Sequence, residues 1–210
     1  MSIFQKIFSY LGIGLIIFLL ARAGILAVHY QNFSSLSTSE VMLGFFYGLR
    51  FDLASLLVFS GIPLLLMALP FRWCTSQWWH VPLSILVFFV FVLEGTLLIG
   101  DVIYFGYVKR HLTNELLFLG KDIKHLVSEA AANPGYLTVW FGMVFSGLFY
   151  WLRLSKVKVR RVRMHWFKFI IFFVFAVIAG RGGVGMKPLA IVHAYSSGSS
   201  SFGNLVLNGV

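Results

Sequence analysis

The sequence predicts an all-α membrane protein with five transmembrane helices, and three observations carry that prediction. Of its 210 residues 59% are hydrophobic and only 11% charged, against roughly 45–50% and about 25% in a soluble domain. The mean hydropathy is +0.88. The apolar residues also fall in runs long enough to cross a ~30 Å hydrocarbon core, which takes about 20 helical residues. Together these exclude a soluble globular domain, a disordered tail and a nucleic-acid-binding module. The net charge of +10 does not reverse this, because the Lys and Arg residues are distributed like those of membrane loops. The single cysteine, Cys74, excludes a disulfide framework and a Cys-based zinc site.

The first span is Ile7–Val28, interrupted only by Arg22. Lys6, the apolar run and Ala21-Arg22-Ala23 imitate a signal peptide with its cleavage site. The apolar run resumes at once through Ile25–Val28, and the segment before it carries one charge, which favours an uncleaved anchor. The second span lies within Val41–Leu69 and is best placed at Leu49–Leu69, with Arg50 and Asp52 near its start and Pro63 inside. The third runs from Val81 to about Ile99 and contains Glu94; the fourth is Tyr136–Leu152. The fifth, Met164–Gly180, is short and carries Lys168 near its start.

Charge bias sets the orientation. With the N-terminus in the cytoplasm, the inner segments hold Lys6, Arg72, Arg153, Lys156, Lys158, Arg160, Arg161, Arg163 and Lys168, and no carboxylate. The outer segments mix Lys109, Arg110, Lys121, Lys124, Arg181 and Lys187 with Glu40, Glu115, Asp122 and Glu129. The basic run Lys156–Arg163 resists translocation most strongly, so the chain reads N-in and C-out. Trp73, Trp78, Trp79, Trp151 and Trp166 then anchor the inner interface, and Tyr30, Tyr104, Tyr107 and Tyr136 the outer one.

The only long connection follows the third span. From Phe105 the apolar residues recur at Val108, Leu112, Leu116, Leu119, Ile123, Leu126 and Val127, in steps of three and four that line one helical face. Asn133-Pro134-Gly135 ends this pattern. The segment 105–132 is too charged to insert and predicts an amphipathic helix lying in the outer interface. Residues 1–185 thus form the transmembrane domain, and 186–210 an extracytoplasmic linker. Within the linker Ser196–Ser201 reads as a flexible connector, and Leu205–Val210 as the start of a further element.

Soluble-enzyme motifs fare poorly. Gly180-Arg181-Gly182-Gly183-Val184-Gly185 satisfies G-x-G-x-x-G, but it follows a membrane helix and no Asp or Glu occurs after Glu129. A dinucleotide site needs a preceding strand and a later acidic residue, so this is a tight turn near lipid headgroups. The six histidines show no metal-ligand spacing, and no nucleophile elbow or triad is visible. Gly44-x-x-x-Gly48 is a weak candidate for a helix-packing face.

The intramembrane charges are the most informative residues. Arg22, Arg50, Asp52 and Glu94 lie within or at the ends of spans, with Asp101 and Arg181 at their outer edge. Charges at such depth are costly unless paired, and they face a bundle interior or a cavity. All six count to the outer half, which predicts one polar cluster linking the first, second, third and fifth spans. Two readings stand: a structural ion-pair network, which the residue types favour, and a lateral pocket in which Arg22, Arg50 or Arg181 holds an anionic lipid headgroup. A proton relay through Glu94 and Asp101 is a weaker third.

With those residues in view, the chain resembles the membrane part of the lipoteichoic acid synthase / phosphoglycerol transferase family. The resemblance rests on Leu49-Arg50-Phe51-Asp52-Leu53, Gly100-Asp101-Val102-Ile103-Tyr104-Phe105, Gly180-Arg181-Gly182-Gly183 with Lys187-Pro188-Leu189, and the closing Asn204–Gly209. It implies a multi-pass protein of the inner (cytoplasmic) membrane in a Gram-negative envelope. It also implies a sulfatase-like domain beyond Val210, with a threonine nucleophile and manganese or magnesium, that takes glycerophosphate from phosphatidylglycerol to a polymer or glycan. No catalytic, cofactor or metal residue carries over to residues 1–210. The alternative is a stand-alone membrane protein, a transporter subunit or assembly partner, using the charged cluster as a pathway. Against it, the chain shows no inverted repeat.

Overall fold

The computed structural model describes residues 2–71, 74, 76–109, 111, 128, 131–156, 166–183, 189–196 and 198–207. All regular structure among them is helical: α1 (Ile3–Val28), a 3₁₀ turn (Tyr30–Phe33), α2 (Thr38–Met67), α3 (Gln77–Val108), α4 (Pro134–Lys156), α5 (Trp166–Gly180), α6 (Val192–Tyr195) and α7 (Ser200–Val206). Four of these, α1 to α4, are long and apolar enough to cross a membrane. α5 is equally apolar but has 15 residues, which rise only about 22 Å.

Serine side chains fix where the first helices begin. Ser2 and Ser37 each accept a bond from the backbone N–H three residues on, while the Gln5 and Glu40 side chains accept one from the serine N–H. This reciprocal capping satisfies backbone donors that would otherwise be orphaned. It starts α2 at Thr38, eleven residues before the expected start at Leu49, and gives the helix 30 residues. α3 is also longer than expected. It continues to Val108 and stops where Lys109 takes a left-handed conformation, φ 61°. Phe105–Val108, the start of the predicted interfacial helix, therefore belong to α3; residues 112–127 of that helix lie outside the described residues. So do the basic stretch 157–165, Lys187-Pro188 and residues 208–210.

Neighbouring long helices run antiparallel. Gly14 of α1 meets Leu56 of α2, while Arg22 meets Asp52. On α3 and α4, Ser84 pairs with Trp151 and Thr96 with Trp140. α5 lies along α2 and closes on α1, where Phe172 meets Phe4 and Phe8 edge-on. The core is shared by α1, α2, α3 and α5, with Ile7, Phe18, Leu56, Leu64, Val87, Leu98 and Phe172 at its centre. α4 is peripheral: it packs chiefly on α3 and barely touches α1. The outer faces are apolar, with Phe46, Ile62, Phe89, Phe145 and Phe167 exposed. In a bilayer such faces are solvated by lipid tails and need no covering.

The two short helices α6 and α7 sit at one end of the bundle, called the cap end, beside the ends of α1 and α3 and the start of α2. Trp78, Trp79, Trp151 and Trp166 fall toward the opposite end, where Trp79 donates to the Leu66 carbonyl at 3.0 Å. Ser196–Ser201, expected to be a flexible connector, is folded in part. Ser199 caps α7 by accepting from the Phe202 N–H at 3.2 Å, and Phe202, Gly203, Leu205 and Val206 are buried.

Close helix contact at Gly14 gives a direct test. A Cβ there would lie 2.5 Å from Leu56, whereas one at Gly12 would meet nothing within 4 Å. Gly14→Val is expected to cost about 1–3 kcal/mol through overpacking, and Gly12→Val to change stability by no more than about 0.5 kcal/mol, both read as unfolding midpoints in detergent micelles.

Candidate functional site: a buried charge network under the cap

The cap end is organised by one guanidinium. Arg22 enters from α1 and is 1% exposed, as is Asp52 on α2. Its two terminal amino groups grip Asp52 bidentately at 2.8 and 2.7 Å. Its Nε donates to the Leu205 carbonyl at 2.9 Å, and one terminal amino group also donates to the Val206 carbonyl at 3.1 Å. Four of the five guanidinium N–H donors thus have acceptors. Gly48 makes room for this: a Cβ there would lie 2.2 Å from the guanidinium carbon. Phe45 covers the group, with its ring centroid 5.9 Å away.

The second arm begins at Asp101 of α3. Its carboxylate receives His111 Nδ1 at 2.6 Å, and His111 Nε2 lies 2.5 Å from the Asn204 carbonyl of α7. His111 thus bridges the Asp101 carboxylate and the α7 backbone. Asn204 is itself tied down: its amide donates to the Lys109 carbonyl at 3.3 Å and it receives the Tyr195 hydroxyl at 2.5 Å. Burial raises the Tyr195 pKa, and the Asp101 carboxylate pushes it the same way. Phe105 stacks on Phe33 and touches the rings of His29 and His111, while His29 Nε2 reaches the Val102 carbonyl at 2.8 Å.

These contacts account for the whole C-terminal end of α7. A helix leaves its last four carbonyls without intrahelical partners. Here Gly203 accepts from the Leu207 N–H at 3.1 Å, Asn204 faces His111, and Leu205 and Val206 accept from Arg22. The Arg22 cation at this end also complements the helix dipole. Leu205 then drops its side chain onto Gly44, whose Cβ would lie 2.9 Å from it. The Gly44/Gly48 pair, a weak packing signal in the sequence, is therefore the floor on which both α7 and Arg22 rest.

Of the six residues predicted to cluster, three join this network: Arg22 and Asp52 directly, and Asp101 through His111 and Asn204. Arg50 and Arg181 are both exposed. The Arg50 Nε donates to the Gly182 carbonyl, joining α2 to the turn after α5. Gly182 and Gly183 adopt positive φ, 74° and 137°, in that turn, which a residue with a side chain rarely adopts. Glu94 shares no bond with the cluster. It is buried two turns from Asp101, about 10 Å along α3, and its Oε1 has no hydrogen-bond partner among the described residues.

Sequence reading missed several participants. His111 looked like one more interfacial histidine, and the carbonyls of α7 carry no side-chain signature. At the opposite end, Lys6 and His80 are buried beside a Tyr10–Ser84 bond of 3.1 Å. Neither His80 ring nitrogen has a partner among the described residues. Among the described residues no group of three or more His, Cys, Asp or Glu could hold a metal ion.

Removing one member of a buried pair leaves the other charge uncompensated, at a cost of about 3–5 kcal/mol. Asp52→Asn is therefore expected to lower the unfolding midpoint in micelles sharply. Arg22→Met combined with Asp52→Leu should recover much of the loss, and Glu94→Gln should have little effect. Compared with protein-family models, curated proteins and solved structures, the chain matches none.

Proposed function

We propose that the chain is the membrane-embedded part of a phosphoglycerol transferase-like enzyme, anchoring a catalytic domain and presenting its lipid donor. In this reading α5 completes a five-span bundle, the N-terminus is cytoplasmic, and the cap end faces outward from a cytoplasmic membrane. Chemistry would belong to a sulfatase-like domain with manganese or magnesium outside residues 1–210, acting on phosphatidylglycerol. The observation that best supports the reading is the cap itself. α7 is clamped to the bundle end by Arg22 and by the Asp101–His111 pair, which gives a fixed platform at the membrane surface. Beside it stands Arg50, exposed and oriented by the Gly182 carbonyl.

The headgroup reading narrows accordingly. Arg22 is consumed by Asp52 and by two carbonyls, so the headgroup role passes to the exposed Arg50 and Arg181. Guanidinium groups suit that role through bidentate recognition. A transport pathway through the cluster is less well supported, because its charged members are bound to one another and to backbone.

The test is retention of phosphatidylglycerol by the purified protein, measured by native mass spectrometry. The double variant Arg50→Ala/Arg181→Ala should retain less than the unsubstituted chain, by about tenfold if two phosphate contacts worth roughly 1.4 kcal/mol together are lost. Lys158→Ala should retain as much as the unsubstituted chain. Equal retention in both variants would contradict the headgroup assignment.

A further inference from the structure

We infer that Lys6 and His80, side by side at the tryptophan end of the bundle, form a binding site for a phosphate group. This site lies at the opposite end from the cap, and it does not depend on the chain being part of a transferase.

Two parallel helices bring the pair together. The Tyr10 hydroxyl of α1 donates to the Ser84 hydroxyl of α3 at 3.1 Å, and further along both helices His29 meets the Val102 carbonyl at 2.8 Å. α1 and α3 therefore start at the same end. Lys6 precedes Tyr10 by four residues, and His80 precedes Ser84 by four. Four residues are close to one helical turn, so Lys6 and His80 share the face of that bond, one turn nearer the helix starts. Both are 3% exposed, and the Lys6 charge acts on the His80 ring.

Neither group is satisfied by the chain. Both His80 ring nitrogens are without a hydrogen-bond partner among the described residues. No described carboxylate reaches Lys6. Asp52 and Asp101 are taken by Arg22 and His111 at the cap end, and Glu40 caps the start of α2 there. Glu94 stands fourteen residues beyond His80, about 21 Å along α3. A buried cation without a counter-charge is costly, and so is a buried imidazole without hydrogen bonds. Lys6 also sits near the N-terminus of α1, where the helix dipole opposes a cation and favours an anion. One oxyanion would resolve all three deficits. An ammonium offers three N–H donors and a neutral imidazole one; a water could accept from both but brings no charge. Trp78, Trp79, Trp151 and Trp166 fall toward this end, and such residues mark the level of lipid headgroups. Phosphate is the oxyanion found at that level, carried by a lipid or free in the adjoining water.

The test follows the His80 ring itself. The full chain, carrying isotope-labelled histidine, would be purified in uncharged maltoside micelles and observed by NMR. Inorganic phosphate, short-chain phosphatidylglycerol and chloride would each be titrated in at constant ionic strength. The His80 ring signals, identified by their loss in His80→Phe, should shift saturably with a phosphate probe and not with chloride. A response to both phosphate probes assigns recognition to the phosphate group itself. A response to one alone assigns the source, a lipid headgroup or the free ion. Lys6→Met keeps the apolar stem and removes the charge, so it should weaken binding about tenfold or more, as loss of a charged donor does. Arg50→Ala/Arg181→Ala should leave the His80 response unchanged even if headgroup retention falls, so the two sites fail separately. Indifference of the His80 signals to both phosphate probes would overturn the proposal without relying on any variant. An equal shift with chloride, a Lys6→Met chain that binds as tightly as the unsubstituted one, or a response lost in Arg50→Ala/Arg181→Ala would also overturn it.

Discussion

Everything at the cap end depends on where the Arg22 guanidinium spends its donors. A lone arginine inside a membrane helix is costly, by about 2.5–3.5 kcal/mol even on insertion scales. Asp52 alone would cancel its charge, but the remaining donors would still need acceptors. The last carbonyls of α7 supply them. The relation is mutual, since those carbonyls have no partners within their own helix. A seven-residue helix is far too short to persist alone. It persists here because two separate deficits, a buried cation short of acceptors and a helix end short of donors, are resolved by the same bonds.

Small residues decide how closely this can be assembled. Gly48 admits the guanidinium and Gly44 admits Leu205, one helical turn apart on α2. The packing glycines of α2 thus serve a polar contact at one position and an apolar one at the next. His111 repeats the logic on the far side of α7, joining Asp101 to the Asn204 carbonyl. α1, α2, α3 and α7 are fastened together at this end by side-chain bonds, while α4 stays peripheral.

Much of this was legible in the sequence, and the remainder was hidden for identifiable reasons. Hydropathy finds the long helices because burial in lipid demands continuous apolar runs. It misplaces the start of α2 because Thr38–Leu49 is held by the Ser37/Glu40 capping box, a signal present in the chain but invisible to an apolar window. Charge counting finds Arg22, Asp52 and Asp101, because a buried charge must have a partner. It cannot say which partner: Arg50 turns to a backbone carbonyl, and Glu94 joins none of the others. The cap was read as a flexible connector because Ser and Gly dominate Ser196–Ser201. Yet Ser199 is a helix cap, and the anchoring groups of α7 are carbonyls, which every residue owns and no sequence displays.

The central claim is that α7 is held on the bundle by Arg22 and Asp52. Gly44→Cys with Leu205→Cys, in a Cys74→Ser background, tests it most directly. The two Cβ atoms would lie 3.6 Å apart, inside the 3.5–4.5 Å range of a disulfide. In membranes, mild oxidation should join α2 and α7 in nearly every molecule, and adding Asp52→Asn should largely abolish the cross-link. A pair that never cross-links, or one that forms as readily without Asp52, would contradict the account.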